Sequence, residues 1–173
     1  MPEANTGLLD ALIQALQAWS AWEFVAVALA LAYVLLAARE NVFCWPAALG
    51  STGIYFVLFL QSGLVFQTGL QLFYMVMAVY GWWHWRHPGR HLERLPITTW
   101  RPRTHLLVIG GTGLVSLGMG WMLDHNGDSA MPYLDAATTW FAVVTTFMVT
   151  RKKLENWIYW IVIDLASLYL FAI

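Results

Sequence analysis

The sequence predicts an all-α integral membrane protein, and three observations carry that prediction. Of its 173 residues, 60% are hydrophobic and only 11% are charged, against roughly 45–50% and about 25% in soluble domains. Six stretches are long and apolar enough to span a bilayer. All nine basic residues fall on one side of those stretches. A mean hydropathy of +0.59 agrees. The same composition excludes a disordered chain, which needs high charge and few aromatics. A net charge of −1 excludes the general basic field of a nucleic-acid binder. A single cysteine, Cys44, excludes a disulfide scaffold. Eleven Trp, nine Phe and seven Tyr suit the aromatic belts of a membrane protein.

Taken in order, residues 1–19 read as an amphipathic segment. Leu8, Leu9, Leu12, Ile13, Leu16 and Trp19 stand at helical spacing, as in a helix lying in the interface. It lacks the basic start and cleavage site of a signal peptide. Spans follow at 20–38, 42–60 and 64–85, forming a first three-helix bundle over 20–85. The polar loop 86–104 carries three prolines and five arginines. A fourth span at 105–123 contains five glycines and reads as a linker. Spans at 131–150 and 154–172 begin a second bundle over 131–173. Runs such as AWEFVAVALALAYVLLAA lack the strict alternation of a membrane β-barrel. Pro46 and Gly50 in the second span are tolerated where neighbours satisfy or pack against the backbone.

The charges orient these spans. Arg39, then Arg86, Arg90, Arg94, Arg101 and Arg103, then Arg151, Lys152 and Lys153 all lie on one side. The positive-inside rule makes that side cytoplasmic and places the amino terminus outside. A wrong number of central spans would scramble this segregation.

An internal repeat appears when residue n is set beside n+115. Asn41-Val42-Phe43-Cys44-Trp45 then faces Asn156-Trp157-Ile158-Tyr159-Trp160, giving N-x-x-x-W at the start of a span in both copies. The first span falls beside the fifth, with the fourth as linker. This is a parallel-repeat transporter layout, with substrate expected between the halves. A complete second copy needs one more span. The chain is therefore expected either to lack a last helix or to complete its site by association.

Polar groups inside the spans mark candidate function. Asp164 falls near mid-bilayer, where a carboxylate costs roughly 2.5–3.5 kcal/mol on insertion scales. Helical spacing puts Asn156, Trp160, Asp164 and Ser167 on one face, and Asn41 and Trp45 on the matching face of the second span. Gln67, Gln71 and Tyr74 form a stripe in the third span; Asp135, Thr138, Thr139 and Trp140 lie in the outer half of the fifth. The bland alternatives are interhelical hydrogen bonds, about 0.6 kcal/mol each, and plain packing or interfacial belts for the tryptophans. Trp82, Trp83, Trp85, Trp100 and Trp121 are read as belt residues. His84, His87, His91 and His105 are read as a solvated face, since no second ligand type at metal spacing accompanies them. No P-loop, G-x-S-x-G or H-E-x-x-H motif supports an enzyme, and no cofactor is implied. Facing aromatics, amides and one carboxylate suit a flat, cationic aromatic ligand.

Four segments then resemble the PnuC-type bacterial vitamin transporters: RENVFCWP at 39–46, QLFYMVMAVYGWWHW at 71–85, DAATTW at 135–140 and RKKLENWIYWIVID at 151–164. The resemblance runs from about Trp22 to Ile173. It implies a SWEET-like arrangement of two three-helix bundles joined by a linker helix, in a bacterial inner membrane. It implies uptake of nicotinamide riboside, or alternatively thiamine, by facilitated diffusion, with a cytoplasmic kinase trapping the product. It implies homo-oligomers, as trimers. It also implies that Asn41, Trp45, Gln67, Gln71 and Tyr74 line the site from the first bundle, and Thr138, Thr139, Asn156, Trp157, Trp160 and Asp164 from the second. A non-transporting membrane interaction protein is the rival from another class, and proton coupling through Asp164 is a further alternative.

Overall fold

The computed structural model describes residues 20–87, 95–126 and 131–172. The expected amphipathic segment 1–19 and residues 88–94 of the basic loop, with Arg90, His91 and Arg94, lie outside the described residues. Among the described residues the chain forms six helices: α1 (Ala21–Ala38), α2 (Cys44–Gln61), α3 (Val65–Arg86), α4 (Pro102–Asn126), α5 (Pro132–Thr150) and α6 (Asn156–Ala172). An isolated parallel bridge joins Thr98 and Lys153.

Local chemistry sets the helix ends. Ser20 caps α1: its Oγ accepts from the Glu23 N–H at 3.3 Å, and Glu23 Oε2 accepts from the Ser20 N–H at 2.6 Å. The turns after α1 and α5 share one design. The Glu40 N–H donates to Ala37 O and the Asn41 N–H to Leu36 O; the Lys152 N–H donates to Val149 O and the Lys153 N–H to Met148 O. Glu40 at φ 54° and Lys152 at φ 49° occupy the left-handed position that closes each helix. Pro132 sits at the first helical position of α5, and Pro46 falls in the first turn of α2. There its missing N–H costs nothing, because first-turn amides have no helical partner. Pro46 therefore needs no neighbour to satisfy its backbone.

Contacts divide the chain between Met75 and Val76, inside α3. In the first unit α1 packs on α2. Ser51 Oγ donates to Ala26 O at 2.8 Å across this pair, and the buried side chains include the small Ala26, Ala37, Cys44 and Ala47. In the second unit α4 packs on α5, and α5 on α6. Gly120 of α4 lets Tyr133 of α5 approach so closely that an added Cβ would lie 2.6 Å from its ring.

Large apolar side chains face outward, as a bilayer solvent requires. Leu106, Leu107 and Leu114 of α4 are more than 70% exposed. Small residues inside and large ones outside is the packing rule of membrane helices. By length and composition alone, α1, α2 and Pro102–His125 of α4 are fit to cross a membrane. The glutamines of α3 and the threonines and Asp135 of α5 dilute those helices, and the apolar part of α6, Asn156–Leu170, is shorter. The threonines bond within their own helix, contrary to the interhelical bonds considered above. Thr138 Oγ1 donates to Asp135 O at 3.0 Å, Thr145 Oγ1 to Phe141 O at 2.7 Å and Thr146 Oγ1 to Ala142 O at 2.8 Å.

Candidate functional site

The two copies of N-x-x-x-W fold differently. In the first unit, Asn41 is exposed in the turn before α2, and its Oδ1 accepts from the Phe43 N–H at 2.9 Å. Trp45 is buried at 2% exposure, with its ring 6.2 Å from that of Tyr33. It therefore packs the α1–α2 hairpin. On α3, Gln67 is exposed while Gln71 and Tyr74 are half-buried.

In the second unit, Asn156 opens α6 and is only 6% exposed. Its Nδ2 donates to Lys153 O, while its Oδ1 is buried with no hydrogen-bond partner among the described residues. Asn156, Tyr159, Trp160, Ile163, Ala166 and Ser167 share the sheltered face of α6. Trp157 is 37% exposed on the opposite face, and Asp164 is exposed beside Ile161, Leu165 and Leu168. The expected stripe thus holds for Asn156, Trp160 and Ser167, while Asp164 turns off its edge. Thr138 and Thr139 are half-buried on α5. Thr138 also lines a cavity of about 450 Å³ with Ile109, Leu134, Phe141, Tyr159 and Ile163. The cavity is lined almost wholly by apolar side chains, and of the expected site residues it gathers Thr138 alone.

A polar cluster that the sequence reading missed stands at the start of α4 and α6. The Glu155 carboxylate lies in the turn before α6. Its Oε1 accepts from the Trp100 N–H at 2.8 Å and lies 3.4 Å from His105 Nε2. His105 Nδ1 is 2.9 Å from the Tyr159 hydroxyl, and the two rings stack at 5.8 Å. Backbone joins in: the Thr98 N–H donates to Lys152 O, and the Leu154 N–H to Thr98 O. His105 is thus part of a latch, not of a solvated face. Burial opposes ionisation of Glu155. Hydrogen bonds from its own backbone, from the Trp100 N–H and from His105 outweigh that and hold its carboxyl below the usual range. Its Oε2 is buried and takes no hydrogen bond among the described residues. The spacing of Glu155 and Tyr159, one helical turn apart, was the available signal.

A second cluster lies where α3 meets the α5–α6 turn. Trp85 Nε1 donates to Thr150 O at 3.1 Å, and the Lys152 ammonium stands 4.6 Å over its ring. The Arg151 guanidinium lies over both Tyr80 and Phe147, and Arg86 over Trp82. The Trp85 side chain is therefore a structural anchor and Trp100 joins the latch through its backbone N–H, whereas Trp83 and Trp121 are more than half exposed, as belt residues are.

The comparisons with known proteins agree with this architecture. Residues 20–173 match the family model described as nicotinamide mononucleotide transporter. The nicotinamide riboside transporter PnuC of Escherichia coli (strain K12) is 23% identical over 163 residues, which cover 80% of this chain and 68% of that one. The riboflavin/roseoflavin transporter RibM of Streptomyces davaonensis is 25% identical over 155 residues, covering 86% and 70%. The crystal structure of the vitamin B3 transporter PnuC superposes with a TM-score of 0.73 at 22% identity, covering 95% of this chain and 72% of that one. That likeness establishes the fold, and the match over nearly the whole chain establishes the family. The chain belongs to the nicotinamide mononucleotide transporter family, a family of membrane transporters and not of enzymes.

Proposed function

We propose that the chain takes up nicotinamide riboside across the bacterial inner membrane. The observation that carries this is the family match over residues 20–173, joined to a nicotinamide riboside transporter among the relatives. Transport is passive, with the amino terminus outside and the basic loops in the cytoplasm. A cytoplasmic kinase then traps the product. The working unit is a homo-oligomer, as a trimer, built from SWEET-like bundles. The proposed binding residues are Asn41, Trp45, Gln67, Gln71 and Tyr74, with Thr138, Thr139, Asn156, Trp157, Trp160 and Asp164. Trp160 supplies an aromatic face for the pyridinium ring and Asn156 Oδ1 an acceptor for its amide or ribose. This fits a buried acceptor that lacks a donor among the described residues.

A second reading, a flavin carrier, is favoured by the riboflavin/roseoflavin relative. Uptake of labelled nicotinamide riboside into proteoliposomes decides between them, with thiamine and riboflavin as competitors. Nicotinamide riboside should compete best. Unchanged uptake in an Asn156→Ala, Trp160→Ala double variant would sink the site; no saturable uptake of any of the three would sink the function.

A further inference from the structure

We infer that Glu155 is the carboxylate that receives the positive charge of the transported ligand, at the start of α6. This rests on the reading of a cationic aromatic substrate just proposed. Three observations on this chain carry it.

The first is an imbalance within one carboxylate. Oε1 of Glu155 is supplied by the Trp100 N–H and by His105. Oε2 is buried and has no donor among the described residues. The second is the neighbouring residue. Asn156 is 6% exposed, its Nδ2 is satisfied by Lys153 O, and its Oδ1 has no donor either. Two buried acceptors on consecutive residues thus lack what each needs. A folded chain keeps such groups at a cost, and they call for an explanation outside its own hydrogen bonds. A ligand with a cationic ring and with hydroxyl or amide N–H groups supplies both missing partners. An anion supplies neither. The third is the position of Asp164. It lies more than two turns further along α6, is exposed beside Ile161, Leu165 and Leu168, and does not line the cavity around Thr138.

The latch has a role in this scheme. Trp100 and His105 hold one oxygen and so aim the other. His105 is flanked by Glu155 and the Tyr159 hydroxyl, with Arg101 and Arg103 near it on its own segment. It positions the carboxylate without occupying Oε2.

The test compares nicotinamide riboside with its neutral dihydro form, binding to the full chain in nanodiscs. The wild type should prefer the cationic ligand. Glu155→Gln keeps the shape and removes the charge. It should weaken the cationic ligand about tenfold while the neutral form stays within about twofold, as expected for loss of one charge–charge attraction. Glu155→Asp, which restores the charge, should recover much of the preference. A thermal midpoint near wild type checks folding. Equal weakening of both ligands by Glu155→Gln would make Glu155 a structural cap and overturn the proposal. Unchanged cationic binding would leave only a bridging water at Oε2 and overturn it too. So would a wild-type affinity that rises with sodium in place of choline and loses that rise in Glu155→Gln, because the occupant is then a metal ion. A wild type that binds neither ligand overturns the substrate reading itself, and the inference with it.

Discussion

Replacing Gly120 with alanine is expected to push α4 and α5 apart. An added Cβ there would lie 2.6 Å from Tyr133 Cδ1, 3.0 Å from its Cγ and 2.9 Å from its Cα. Carbon atoms rest at about 3.5–4.0 Å, so the ring must retreat by about 1 Å and the backbone by about half an ångström or more. The ring can turn aside, but the Cα belongs to the first turn of α5, directly after Pro132. The helix itself must move. Overpacking of this kind costs about 1–3 kcal/mol. Alanine also gains about 1 kcal/mol of helix propensity over glycine, so the crowding must be read against a control. Gly113, on the same helix, has nothing within 4 Å of an added Cβ. Gly113→Ala should show the propensity gain alone. The two variants should therefore differ by about 1–3 kcal/mol, with Gly120→Ala the weaker. Thermal unfolding in nanodiscs, followed by circular dichroism, reads that difference. A Gly120→Ala protein as stable as Gly113→Ala would refute close packing of α4 on α5.

Three further outcomes follow from the same contacts. Ser51→Ala removes the bond to Ala26 O across the α1–α2 pair and should lower stability by about 0.6 kcal/mol, in the range of membrane interhelical bonds, as read by thermal midpoint. Trp85→Phe loses the bond to Thr150 O but keeps a ring beneath Lys152; Trp85→Leu loses both, so its midpoint should fall further, by about 0.5–1 kcal/mol more. The Glu155 carboxyl is held below its ordinary value of 4.5. Its contribution is therefore complete above that value and is lost as pH falls through the lower folded value. Acid unfolding of the wild type should show that loss, and Glu155→Gln should be flatter below about pH 4.5.

Helix positions were legible because hydrophobic length constrains them. Side-chain partners were not, because periodicity assigns a face without saying what covers it. Asn156, Trp160 and Ser167 share the sheltered face of α6 as their spacing required, while Asp164 at the stripe's edge is exposed. A drift of one residue along a helix turns a side chain by about 100°, enough to carry it out of the groove. Trp45 looked like the partner of Trp160 by motif, yet small neighbours let it sink into the α1–α2 hairpin. His105 looked solvated among arginines. Only the return of the chain through Thr98 and Trp100 brings it to Glu155 and Tyr159.

The two helix-closing turns explain why the repeat was partly hidden. Arg39, Glu40 and Asn41 do in one turn what Arg151, Lys152 and Lys153 do in the other. Matched by turn, the copies stand 112 residues apart; matched by N-x-x-x-W, they stand 115 apart. The second copy thus carries three extra residues between turn and motif. Those residues carry the second copy's contacts to the Thr98–Trp100 segment. Leu154 donates its N–H to Thr98 O, and Glu155 takes the Trp100 N–H and His105. In the first copy Asn41 closes the turn itself and spends its side chain on the Phe43 N–H. In the second, Asn156 is displaced past the turn into the helix, where its Oδ1 is free of that local duty. The insertion therefore changes a capping asparagine into a buried one with an open acceptor, and it moves the Glu-Asn pair, present as Glu40-Asn41 in the first copy, past the turn to Glu155-Asn156. Symmetry in sequence conceals an asymmetry in chemistry: among the described residues, Glu155 Oε2 and Asn156 Oδ1 of the second copy are buried acceptors without a hydrogen-bond partner, whereas Asn41 Oδ1 of the first is taken by the Phe43 N–H.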